Sequence, residues 1–292
     1  MWIWLSLLSA VGAAGSGLFL KRSLAGASAV WTTVAYRAVG GGLLLALVIG
    51  AGLMRPLGPD FGWAVALAIP FELIGTVAFT LALRDGELSL VQPLFGLLPV
   101  VVTLGAAVAL GERPTAAALF GIALVGGGVY VLGLGGARGL WEPLRALAAH
   151  PAGRWAGLAV LAWSVTSVVH KVGIAASGPM PWAVVLALGS SVVLAVVAPV
   201  LPKELRAGGG RVTAAWGVWA AAAGVFYAVQ QVGLQYALEI APAGYVIALA
   251  SVSIVLGVIA GIVWLGERGA RRWRLGGAGL VTLGSALVAL YG

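Results

Sequence analysis

Apolar stretches recur along this chain, each closed by a short connection that holds glycine, proline and most of the charge. A transmembrane helix needs about 20 mostly apolar residues. The pattern predicts such helices over 2–20, 28–50, 61–83, 88–110, 114–134, 155–176, 181–201, 212–238, 241–265 and 273–291. Within this pattern Leu-Gly-Glu-Arg occurs twice, at Leu110–Arg113 and Leu265–Arg268, each time ending an apolar run. The offset of 155 residues also superposes Ala82 on Ala237, Leu94 on Leu249 and Gly121 on Gly276. The predicted fold is therefore an all-α membrane protein of ten transmembrane helices in two repeats of five, at 1–136 and 155–292, joined by a linker at 137–154. An odd number of helices per repeat makes the second enter the membrane upside down relative to the first. In secondary transporters that inverted symmetry puts the substrate site near the bilayer midplane, between the repeats.

Composition makes the membrane reading close to compulsory. Only 9% of residues are charged and 61% are hydrophobic, against about 25% charged in ordinary soluble domains, and mean hydropathy is +1.07. The first span starts at Trp2 with no basic stretch before it, so it is expected to remain in the mature chain. With no cysteine there is no disulfide or thiolate chemistry. A net charge of +8 would suggest nucleic acid in a soluble protein, but here 13 of the 17 Lys and Arg residues fall in connections on one side of the ten-helix arrangement. The positive-inside rule puts that side in the cytoplasm and both termini outside.

Against this background, polar residues inside the spans stand out, because a charge at the bilayer centre costs about 2.5–3.5 kcal/mol or more. Glu72 lies in the middle of the 61–83 span, with Thr76 and Thr80 at i+4 and i+8 on the same face. The 155 offset leads to Tyr227, Gln231 and Gln235, a second polar stripe with the same spacing. Two readings of Glu72 stay open: an ion pair with Arg37 of the second span, or a cavity position that takes a substrate ammonium or a proton. An offset of 150 relates Lys21 to Lys171 and Ser16 to Thr166. In the sixth span Trp163, Ser167 and His170 share a face. Trp163 can pack or offer a stacking surface to an aromatic or cationic ligand. His170 and Lys171 join Arg37 and Glu72 as candidates for coupling or ion pairing. Pro93 and Pro99 predict a kinked 88–110 helix. Ala13-xxx-Gly17 and Gly257-xxx-Gly261 are weak close-packing signals, and Trp residues near span ends, such as Trp2, Trp4, Trp141, Trp155 and Trp273, read as an interfacial belt.

The paired Leu-Gly-Glu-Arg ends, Tyr36-Arg37, Pro99 and the Lys21/Lys171 pair resemble the drug/metabolite transporter superfamily in its ten-helix form with two EamA-type repeats. Phe71-Glu72, Trp163 with Lys171, and Phe226-Tyr227 are similar to the aromatic amino acid exporters of the YddG type. The resemblance implies a secondary transporter of the inner membrane that exports small metabolites, amino acids foremost, by alternating access. It also implies cytoplasmic termini and a basic connection after the second span, where this chain has only Arg55. The expected substrate-binding set is Glu72, Thr76, Trp163, Ser167, Tyr227 and Gln231. Expected partners are the bilayer and a small-molecule substrate, with no nucleic acid, cofactor or metal; a monomer is allowed. A sugar-phosphate cargo would call for deep cationic side chains, and only Arg37 and Lys171 qualify. An intramembrane enzyme is disfavoured: both aspartates, Asp60 and Asp85, lie in connections, and no His-Glu-x-x-His is present.

Overall fold

The computed structural model describes residues 1–25, 27–86, 91–133, 149–206, 214–264 and 271–291. The second Gly-Glu-Arg and most of the predicted linker lie outside the described residues, as do the surroundings of Pro93 and Gly261. Helices α1 (Trp2–Ser23), α2 (Ala29–Gly50) and α3 (Phe61–Asp85) follow the first three predicted spans. Then come α4 (Leu98–Leu110), α5 (Ala116–Gly133), α6 (Pro151–Ser177) and α7 (Pro179–Val197). After a single turn at Lys203–Arg206, α8 (Ala214–Ile240), α9 (Ala243–Ala250), α10 (Val252–Trp264) and α11 (Arg271–Tyr291) complete the chain, and the described residues contain no strand. Among the described residues, six helices are long and apolar enough to cross a membrane: α1, α2, α3, α6, α8 and the Pro179–Val200 stretch that contains α7. Four shorter apolar segments accompany them, at Leu94–Leu110, Ala116–Val131, Ala243–Gly257 and Gly276–Tyr291.

Helix ends follow local chemistry. The Ser28 side chain accepts from the Trp31 amide to start α2, and His150 accepts from Ala152 N–H just ahead of Pro151 at the first turn of α6. Gly111 ends α4 with φ of 68°, a left-handed conformation that only glycine adopts without strain.

Two of the predicted runs change character part-way. Within the 88–110 run a 3-10 segment covers Gln92–Leu97 and passes into α4 at Leu98, with Pro99 in the first turn of α4, where proline's missing N–H costs least. The 241–265 run is likewise divided, at Ser251 between α9 and α10. No proline sits at this break. Ser251 Oγ instead donates to Ile247 O at 2.9 Å, the kind of back-bond that bends helices.

The most extensive interfaces pair a helix before the predicted linker with one after it: α1 with α8, α3 with α6, α5 with α11 and α2 with α7. Glycines let several helices approach closely. A Cβ on Gly12 would fall on the backbone of Gln230, and one on Gly233 would fall on the carbonyl of Leu5, so α1 and α8 touch backbone to backbone. Gly121 and Gly284 make the same kind of approach between α5 and α11. Ala13 and Gly17 line a cavity instead. Outward helix faces carry exposed Val108, Val196 and Leu104, as surfaces that meet lipid should. Of the predicted belt, Trp4 is exposed, while Trp2 and Trp155 are partly buried.

Candidate functional site

The charge that composition makes conspicuous is paired. Arg37 from α2 and Glu72 from α3 are both buried, and Arg37 Nη1 lies 2.7 Å from Glu72 Oε1. Nη1 also donates to Thr76 Oγ1 at 2.8 Å, and Nη2 donates to the Leu186 carbonyl of α7 at 3.2 Å. Behind this pair Thr80 Oγ1 donates to the Thr76 carbonyl, and Thr33 to Thr80, so the threonine stripe of α3 braces the ions against α2. The guanidinium carbon sits 4.9 Å from the centre of the Tyr227 ring, a cation–π distance. Yet Arg37 Nε and Tyr227 Oη are buried without any hydrogen-bond partner. Buried polar atoms are nearly always satisfied, so these two stand out.

Both residues also line a cavity of about 180 Å³. Glu72, Trp163, Ser167, Gln231 and His170 also line it. One wall is aromatic: Phe79, Phe95 and Trp163 form a mutual cluster with ring centroids 5.2–5.5 Å apart. Polar lining comes from Ser9 and Ser16 of α1, Gln230 and Gln231 of α8, and Ser251 at the α9–α10 break. Gln231 Oε1 accepts from Gln235 Nε2 at 2.9 Å, so the stripe read on α8 holds itself in place. His170 Nδ1 accepts the indole N–H of buried Trp182 at 2.8 Å.

Of the nine residues proposed for binding or coupling, seven thus meet at one cavity. Thr76 stands one layer back, bridging the ion pair. Lys171 stands apart: its Nζ donates to the carbonyls of Leu238 and Ala241 at 3.0 and 2.7 Å and lies 3.4 Å from Glu112. It is an ion-pairing residue, but with Glu112 at the end of α4 and not with the central charges. Glu112, from the first Gly-Glu-Arg, in turn accepts from the Ala243 amide that opens α9. Lys21 Nζ donates to the carbonyls of Leu83 and Gly86 at 2.5 and 2.6 Å. Those acceptors are the 155-offset counterparts of Leu238 and Ala241.

The pattern missed Tyr36, Phe79, Phe95 and Trp182 as neighbours of the site. Phe79 had a signal, since it follows Glu72 by seven residues and so shares its face; an aromatic residue in an apolar span simply does not stand out.

This arrangement suits a solute path in a membrane protein. Residues 1–134 match the EamA-like transporter family. The EamA-like segment contains α1 to α5, and with them Arg37, Glu72, Phe79 and Phe95 of the cavity. With its apolar helices the match marks a multi-pass membrane protein and points to transport of small solutes. A solved structure described only as the crystal structure of a protein shares the fold, with a TM-score of 0.73, 18% identity and 99% of both chains covered. No curated protein matches the chain.

Proposed function

We propose that the chain is a secondary transporter that exports amino acids, aromatic or otherwise neutral, from the cell across the inner membrane by alternating access. The observation that carries this reading is the Arg37–Glu72 pair on the cavity wall, with Arg37 Nε and Tyr227 Oη unpartnered beside it. A wall that offers one cation and one anion suits a ligand with a carboxylate and an ammonium. The Phe79–Phe95–Trp163 cluster gives such a zwitterion's side chain an apolar, stackable surface. Glu72, Trp163, Ser167, Tyr227 and Gln231 are the proposed contact residues, with Thr76 and Arg37 holding Glu72.

The architecture proposed is two inverted five-helix EamA-type repeats. Under the offset, the α1–α8 interface maps onto α6–α3, while α2–α7 and α5–α11 map onto themselves. The Lys21 and Lys171 anchors, each on a pair of helix-end carbonyls 155 residues apart, support the same reading. Symmetry of this kind places the cavity between the repeats, where alternating access needs it. A sugar-phosphate cargo is less well served, because Glu72 cancels Arg37 and Lys171 is committed elsewhere. The EamA-like match over residues 1–134 also favours a transporter over an enzyme.

The test is counterflow in proteoliposomes loaded with Phe, Trp, Met or Thr, comparing wild type with Glu72→Gln and Trp163→Ala. Saturable exchange of at least one of these, lost in Glu72→Gln, is expected. Exchange of none of them by wild type sinks the amino acid reading, and unimpaired exchange by Glu72→Gln sinks the site.

A further inference from the structure

His170 is one of two histidines in the chain, and the structure fixes where its proton sits. An indole N–H only donates, so His170 Nδ1, which accepts from Trp182 Nε1 at 2.8 Å, must present a lone pair. The neutral ring then carries its proton on Nε2. Trp182 has little freedom to turn away. It is fully buried, its ring fills the space a Cβ on Gly173 would need, and Phe61 packs against it edge-on with centroids 6.3 Å apart. The two rings meet at 88° with centroids 6.2 Å apart, so the indole edge is aimed at the imidazole. Charging His170 would place an Nδ1–H against an indole N–H in a buried site. Both donors would then lack an acceptor, which costs more than a typical hydrogen bond contributes.

The other nitrogen is the free one. His170 lines the cavity, and its bond to Trp182 is its one hydrogen bond among the described residues. The charged and titratable groups around it are Glu72 on α3, Arg37 on α2, and Tyr36 and Tyr227 on α2 and α8, all on the same cavity. Glu72 would favour an imidazolium, but Arg37 already neutralises it at 2.7 Å and itself disfavours a second cation. Lys171, next on the same helix, is held by Leu238, Ala241 and Glu112.

We infer that His170 is a specificity-determining residue of the cavity, a neutral donor locked by Trp182 as the Nε2–H tautomer, which offers that N–H to an acceptor oxygen of the solute and carries no proton across the membrane. This role rests on reading the cavity as the solute path; the locked tautomer does not. The coupling role expected of His170 from sequence is thereby replaced by a recognition role, and Trp182 becomes its positioning residue.

The experiment labels histidine with ¹⁵N in the full-length protein carrying His150→Asn, so that one ring is observed. From about pH 5 to 8, where an ordinary histidine titrates, His170 is expected to show one acceptor-type nitrogen at Nδ1 and one N–H at Nε2, unchanged. Titration to two N–H nitrogens in that window, or a proton on Nδ1, overturns the inference. Trp182→Phe is expected to restore titration; if that variant does not fold, the pH series on the Trp182 protein decides alone. In counterflow, His170→Ala is expected to weaken apparent affinity about five- to tenfold, as for one lost hydrogen bond, with the maximal rate kept. A loss of rate with affinity unchanged overturns the recognition role. Failure of wild type to move any amino acid would count against the transporter reading while the ¹⁵N result still decides the tautomer.

Discussion

Separating Arg37 from Glu72 should cost more than deleting both. Their contacting atoms are 2.7 Å apart, which puts the charge centres roughly 4 Å apart, and at an effective dielectric of about 20 the attraction is about 4 kcal/mol. Glu72→Leu leaves Arg37 buried with Thr76, the Leu186 carbonyl and the Tyr227 ring, none of which carries a compensating charge. Breaking a buried pair in this way costs about 3–5 kcal/mol, whereas replacing both members by apolar side chains is often close to neutral. Glu72→Leu and Arg37→Met should therefore each destabilise by about 3–5 kcal/mol, and the double variant should fall within about 2 kcal/mol of wild type. Equilibrium unfolding in mixed detergent micelles measures all four corners of the cycle. Additive effects, with a coupling below about 0.5 kcal/mol, would falsify the pairing. The double variant should still fail to exchange any amino acid, because the same replacement that restores stability removes both charges from the cavity.

Two further outcomes follow from the packing. Gly12→Val should destabilise by about 1–3 kcal/mol or prevent folding, since its side chain meets the backbone of Gln230 and not a movable side chain; unchanged unfolding would show that α1 and α8 do not touch there. Lys171→Met strips a donor from two helix-end carbonyls and a partner from Glu112, for a cost of about 1–3 kcal/mol in the same assay. Glu112→Gln, which keeps an acceptor for the Ala243 amide, should cost less.

The elements were legible where composition and periodicity agree, as in α1, α2, α3, α6 and α8, whose ends fall within a few residues of the predicted ones. Charge inside an apolar run also told its own story: Glu72 and Arg37 are conspicuous because hydrocarbon makes them expensive, and that expense forces them together. The sequence could not say whether the pair would be structural or exposed to a ligand, because that depends on how side chains of other helices, Tyr227 among them, close around Arg37. Trp182 was invisible for the opposite reason. A buried indole at the start of an apolar helix is ordinary, and only tertiary packing reveals that its N–H points at His170. The break at Ser251 was hidden too, since a serine back-bond, unlike a proline, leaves no mark that differs from a packing serine.

The glycine seam between α1 and α8 bears on what can move. Where two backbones touch with no side chain between them, the helices cannot slide or spread without opening a void, so they travel as one rigid rod pair. The interface that fuses them joins the start of the chain to its later part. Any rocking that opens the cavity must therefore divide the molecule along lines that cross the gene order, with each moving block stitched from both ends of the polypeptide. A cut between the two sequence halves would not yield two machines of half the size, but two sets of helices each missing its counterpart.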